Sequence, residues 1–268
     1  MPDENAPSFP RELREFLESC YACYNTREFI HSDPLEIVHE YEDPAEREVA
    51  ALITACLAYG QVTSIKNSVR ELLGRLEGRP HRFLVDTGDG EIEAACEGFR
   101  HRFTGPDDMG KLLRGAARVL ERRGSLESCL CAHRQADDIT LTGALTGFVE
   151  EVSGSEDGIP HLLPTPARGS ACKRLWLFLR WMVRRDAVDP GGWDRVSPAG
   201  LVVPLDVHMG RICRALGLTE RAQADLRAAQ EATEAFRRIR PKDPVRYDFA
   251  LTRVAMCEGM EPIRNWRR

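Results

Sequence analysis

Lys173 and Asp206 are the two residues whose types and settings suit chemistry rather than packing alone. In LVVPLDVHMGRICRALGL, residues 201–218, Leu201, Val202 and Val203 read as a short buried segment that Pro204 ends. Met209, Ile212, Cys213, Leu216 and Leu218 then follow helical spacing, and Gly217 follows as a stop signal. Asp206 falls at the N-cap, where a carboxylate accepts hydrogen bonds from the first free backbone N–H groups. Its two uses at this stage are a structural cap and a carboxylate held ionised for chemistry. Upstream, in HLLPTPARGSACKRLWLFLRWMV (161–183), Pro164 and Pro166 break the chain, Gly169 permits a tight turn and Ser170 is the expected N-cap. That count puts Lys173 at the third helical position. The positive end of the helix dipole opposes an ammonium there, and the apolar run behind it buries that end of the helix. Both effects disfavour the charged amine, which is how a lysine becomes a nucleophile at neutral pH. The alternative is a surface lysine in an arginine-rich strip. Of the other lysines, Lys242 lies between prolines in RPKDP, while Lys66 and Lys111 sit on amphipathic stretches.

Nearly every segment that positions these two residues reads as helix. Helices are predicted over residues 10–24, 45–59 (entered through the Asp43-Pro44 cap), 62–76, 107–122, 125–133, 139–152, 171–185, 207–216, 221–239 and 244–258. Strand signals are nearly absent. The loop SGSEDGIP, 153–160, is the best boundary between two lobes. The expected fold is all-α and two-lobed, with a cleft between the lobes.

A chain of 268 residues supports one large domain or two small ones. The net charge of −5 does not announce a nucleic-acid binder, so local charge has to carry any such role. Residues 1–50 are strongly acidic, whereas 161–190 hold Arg168, Lys173, Arg174, Arg180, Arg184 and Arg185 against Asp186 and Asp189. Such a basic strip grips a phosphate backbone in some proteins and is a solvated helix face in others. The start of the chain lacks a secretory signal pattern, and the apolar run LWLFLRWMV is too short to span a membrane. A cytoplasmic, monomeric protein is expected. An odd count of nine cysteines, with Cys20/Cys23 as CxxC and Cys129/Cys131 as CxC on amphipathic stretches, reads as structural thiols.

The segment VPLDVHMGRI, 203–212, resembles the motif of the helix-hairpin-helix DNA glycosylase superfamily, in which a Pro–apolar–Asp–x–His segment carries the catalytic aspartate. Its DVHM is similar to that of eukaryotic 8-oxoguanine glycosylases, and Lys173 matches the superfamily's Schiff-base lysine in context. The interval between the two residues is longer than in endonuclease III-like members and resembles that of the archaeal 8-oxoguanine glycosylase branch. The segments at 34–62, 173–193, 202–209 and 243–251 extend the likeness, through an uncharacterised bacterial family, over most of the chain.

The resemblance implies that Lys173 attacks C1′ of a damaged nucleoside and that Asp206 stabilises the oxocarbenium-like transition state. It also implies that His208 contacts a phosphate and that Gln61 fills the gap left by the flipped base. Arg168 and Gly169 fall in the hairpin that meets DNA, although LPTPARGS replaces the usual LPGVG signature. Double-stranded DNA with a damaged base is the implied partner, 8-oxoguanine the nearest lesion, and strand scission by β-elimination the second step. The four-cysteine iron–sulfur loop of endonuclease III relatives is missing, and no metal or cofactor is expected. Trp176, Phe178, Trp181, Trp193 and Tyr59 are the candidates for stacking on the base. Two other readings stand beside this one: a non-catalytic helical DNA-binding protein and a protein-interaction module.

Overall fold

A computed structural model of the chain describes residues 10–154 and 159–267. Residues 155–158 of the expected lobe boundary and residues 1–9 of the chain's start lie outside that description. The described residues form helices α1 (Arg11–Tyr24), α2 (Leu35–Val38), α3 (Pro44–Cys56), α4 (Val62–Arg75), α5 (Pro80–Asp86), α6 (Asp89–Cys96) and α7 (Pro106–Arg123). Then follow α8 (Leu126–Ala132), α9 (Thr142–Ser153), α10 (Lys173–Val183), α11 (Val207–Ala215), α12 (Leu226–Ile239), α13 (Asp248–Cys257) and α14 (Glu261–Arg264). Only two isolated bridges, His101–Thr104 and Ser170–Asp225, have β character among the described residues. The fold is all-α. Among the described residues no helix is long and apolar enough to cross a membrane.

Helix α3 is apolar on nearly every side because it is enclosed, with Val49, Ala50, Ile53, Ala55 and Cys56 fully buried. It packs against α10, whose Trp176, Phe178, Leu179 and Met182 are buried as deeply. Helices α5 to α9 pack largely on one another, whereas α11 packs on α12, α13 and α14, and α1 on α13. Asp43 caps α3 as expected, accepting from the Ala45 N–H at 2.9 Å.

Charged groups stitch the core where packing alone leaves polar atoms dry. The buried Glu48 carboxylate on α3 accepts from the Leu126 N–H at 3.0 Å and the Trp193 indole N–H at 2.9 Å, tying α3 to the start of α8. Arg180 on α10 donates to Asp189 at 3.1 Å and to Asp248 at the start of α13. Arg184 donates to Asp186 at 2.8 Å and to Asp243 at 3.0 Å, and also pairs with Asp189. These contacts correct the basic strip expected over 161–190. Arg180 and Arg184 are buried counter-ions, and Arg174 donates inward to the carbonyls of Cys56 and His161. Of the strip, Arg168 and Arg185 stand exposed.

All nine cysteines are free. Cys129, His133 and Glu151 each bring one donor atom within 4.8 Å of the others. The Glu151 carboxylate is already held by Arg123 at 2.9 and 3.0 Å and by His133 at 2.8 Å, so this cluster is an ion-pair network.

Candidate active site

The chain enters α10 through two left-handed residues, Gly169 at φ 77° and Cys172 at φ 47°. Glycine adopts that conformation freely, but Cys172 is held in it. The Ser170 hydroxyl accepts from the Cys172 N–H at 3.2 Å, and the Cys172 thiol, pushed up to about 11 by burial, reaches the Pro164 carbonyl at 3.2 Å. Leu226 N–H donates to the Gly169 carbonyl at 3.0 Å, which fastens this turn to the head of α12. Ser170 therefore organises the turn and does not cap the helix. Lys173 is the first residue of α10, two positions earlier in the helix than expected, and remains in the turn where the dipole is positive.

The approach to α11 is an extended, buried strip. Leu201, Val202, Val203 and Leu205 are dry, and the Val203 N–H donates to the buried Thr233 hydroxyl at 2.9 Å. Asp206 ends the strip at the N-cap of α11, and its Oδ1 accepts from the Met209 N–H at 2.9 Å. Its Oδ2 accepts from the Lys173 ammonium at 2.7 Å. One carboxylate thus caps a helix with one oxygen and pairs with an amine through the other. Burial pushes the Asp206 carboxyl upward. The Lys173 charge and hydrogen bond, the Met209 N–H and the His208 charge outweigh it and hold the group below its ordinary value. Asp206 is ionised at neutral pH.

The pair lies between two hollows. One, of about 540 Å³, is bounded by Tyr59, Gly60, Pro164, Ser170 and Arg174. The other, of about 450 Å³, reaches toward Trp181, Met209, Ile212, Asp248, Phe249 and Arg253. Lys173 and Asp206 line both. The second hollow is within the size range of a small-molecule pocket, and its walls join apolar faces to a few polar groups. Phe249 lies under two guanidinium groups, with Arg253 at 4.5 Å and Arg180 at 5.8 Å from its ring centre. Arg253 also donates to Asp33. The buried indole N–H of Trp181 and the Arg253 Nε have no hydrogen-bond partner among the described residues.

Of the stacking candidates, Trp181 and Tyr59 line these hollows. Trp176, Phe178 and Trp193 are core: Phe178 packs edge-on to Trp193 at 5.2 Å, and Trp193 serves Glu48. His208 stands exposed on the first turn of α11 at the rim of the second hollow. Gln61 is exposed at the N-cap of α4, and Arg168 and Gly169 are exposed on the turn before α10. Sequence reasoning missed Asp248, Phe249 and Arg253. Asp248 is buried against Arg180 and close enough to Lys173 and Asp206 to feel both charges, and burial pushes its carboxyl upward. The available signal was Asp248 directly before the apolar run Phe249, Ala250 and Leu251 in DPVRYDFAL.

The family model described as "Protein of unknown function (DUF2400)" matches residues 33–257, and the chain belongs to that family. No curated protein and no solved structure matches it.

Proposed function

We propose that this protein is a DNA glycosylase with lyase activity, acting as a cytoplasmic monomer on double-stranded DNA that carries an oxidised base such as 8-oxoguanine. The observation that carries the reading is the contact of 2.7 Å between the Lys173 amine and an ionised, helix-capping Asp206, at the junction of two hollows. The packing of α6–α9 largely on one another, and of α11 on α12, α13 and α14, supports a two-lobed, helix-hairpin-helix glycosylase-like arrangement. The exposure of Arg168 and Gly169 supports assigning their turn to the part of the hairpin that meets the DNA backbone.

The chemistry follows from the two groups. As the bond from C1′ to the base breaks, positive charge grows on the sugar, and the Asp206 carboxylate stabilises it. Lys173 passes a proton to the departing base and bonds to C1′. Opening of the sugar ring turns that bond into an imine, which acidifies the C2′ hydrogen. Loss of that proton expels the 3′ phosphate and cuts the strand, and water then hydrolyses the imine to free the lysine. An amine and a persistent anion are both required, and binding alone needs neither. That requirement favours this reading over a non-catalytic DNA-binding protein. Incubation with duplex oligonucleotides bearing 8-oxoguanine, other oxidised bases or an abasic site tests it. Strand scission at the lesion is expected, and intact strands across the panel would refute the activity.

A further inference from the structure

Residues 101–104, HRFT, form a closed turn whose tip packs on Tyr59 and Gly60, two residues that line a hollow shared by Lys173 and Asp206. The His101 N–H donates to the Thr104 carbonyl at 3.0 Å, and the Thr104 N–H donates back at 2.9 Å. Arg102, at φ 55°, occupies the first central position, where a turn of this kind favours glycine. Both ends of the turn are buried and bolted down. The His101 ring bonds the Ser68 hydroxyl and the Tyr59 carbonyl, both at 3.0 Å, and the Tyr59 hydroxyl meets the Thr104 hydroxyl at 2.6 Å. The fold thus over-determines an unfavourable backbone conformation in order to hold up one side chain. That side chain is Phe103, which is 63% exposed.

The surroundings of Phe103 suit a nucleobase. Its ring stacks on Tyr59 at 4.9 Å and 22°, with the His161 ring edge-on at 5.5 Å. The Arg174 guanidinium lies 5.1 Å from the same Tyr59 ring, and Arg102 lies against Gly60. Tyr59, Gly60 and Arg174 also line the hollow that Lys173 and Asp206 share. Among the described residues, the acidic group against this cluster is Asp108, at 3.6 Å from His161. A rigid aromatic beside the exposed Arg102 offers stacking to any base and charge to the adjacent phosphates. We infer that Phe103 enters the base stack of the duplex and occupies the space vacated by a nucleotide drawn into the Lys173–Asp206 site. The resemblance gives that space to Gln61, next to Gly60, and the inference gives it to Phe103 instead. The inference rests on the proposed glycosylase reading, and it adds the surface that opens the duplex.

Two duplexes separate the possibilities: one undamaged, and one with a tetrahydrofuran residue that leaves a gap in the stack. Binding is followed by fluorescence anisotropy at fixed salt for the wild type, Phe103→Ala and Phe103→Trp. Phe103→Ala is expected to bind the gapped duplex about tenfold more weakly, a change of ~1.4 kcal/mol. Its affinity for the undamaged duplex and its melting temperature should be unchanged, and Phe103→Trp should restore the tight binding. An equal loss on both duplexes would overturn the inference by making Phe103 a general contact. No loss on either, with the wild type still preferring the gap, would also overturn it and leave the turn as a surface for a protein partner, while the glycosylase reading stands. A wild type that binds neither duplex would remove the glycosylase reading itself, and the wedge with it.

Discussion

The Lys173 amine and the Asp206 carboxylate lie 33 positions apart in the chain and 2.7 Å apart in space, each at the head of its own helix. Their side chains are 38% and 32% exposed, so the pair is reachable by a substrate and screened by water. Its worth to stability is accordingly small, as for other solvent-accessible ion pairs. Under the proposed function, the value of the arrangement lies in what the two groups do to a third molecule.

Replacing Asp206 with asparagine separates its two roles. Asparagine caps a helix about as well as aspartate, so Asp206→Asn should change stability by no more than about 1 kcal/mol. The loss of the anion should lower base excision by roughly 100-fold or more. Thermal melting and single-turnover excision on the same preparations check this. Full activity in the folded variant would leave Asp206 as a cap only.

Glu48 should make stability pH-dependent in an unusual direction. Burial raises its carboxyl from an ordinary 4.5 to about 7, against the hydrogen bonds from Leu126, Trp193 and Glu127. The folded state therefore holds its proton more tightly than the unfolded chain does. Its contribution is fully present below pH 4.5 and is lost as the pH rises through about 7, by roughly 3 kcal/mol in all. Melting curves of the wild type and Glu48→Gln across this range should diverge, the wild type losing stability relative to the variant as the pH rises. Parallel curves would mean that Glu48 titrates normally.

The buried pairs of Arg180 offer a stability test that bears on the site. Arg180→Met removes the partner of two dry carboxylates, Asp189 and Asp248, and should cost about 3–5 kcal/mol. A double variant that also replaces Asp248 with asparagine should recover part of that loss. Chemical denaturation of both measures the coupling, and simple additivity would show that the two residues do not act as a pair.

The long helices were legible because their apolar spacing and caps agree: α1, α4 and α7 fall within a residue or so of their expected limits. Helices α5 and α6 were not, since each is only two turns long and bounded by proline or glycine. Helix α12 starts at Leu226 and not near 221, because Asp225 accepts from the Ala228 N–H and sets the cap there. Lys173 and Asp206 could be found because each begins a helix, and helix starts leave a local mark. Asp248, Phe249 and Arg253 reach the same hollow only through the packing of α13 on α11, which no local pattern encodes. The misread arginine strip has the same origin, since a count of charges does not reveal that Arg180 and Arg184 face buried aspartates.

Borohydride trapping tests the role of Lys173 most directly, because reduction fixes an imine as a stable amine link between protein and DNA. With an abasic-site duplex and with an 8-oxoguanine duplex, the wild type should give a covalent adduct and a cut strand. Lys173→Gln should give neither, while binding DNA with nearly the affinity of the wild type. An undiminished adduct from Lys173→Gln would contradict the assignment of Lys173 as the nucleophile, and no adduct from the wild type would contradict imine chemistry altogether.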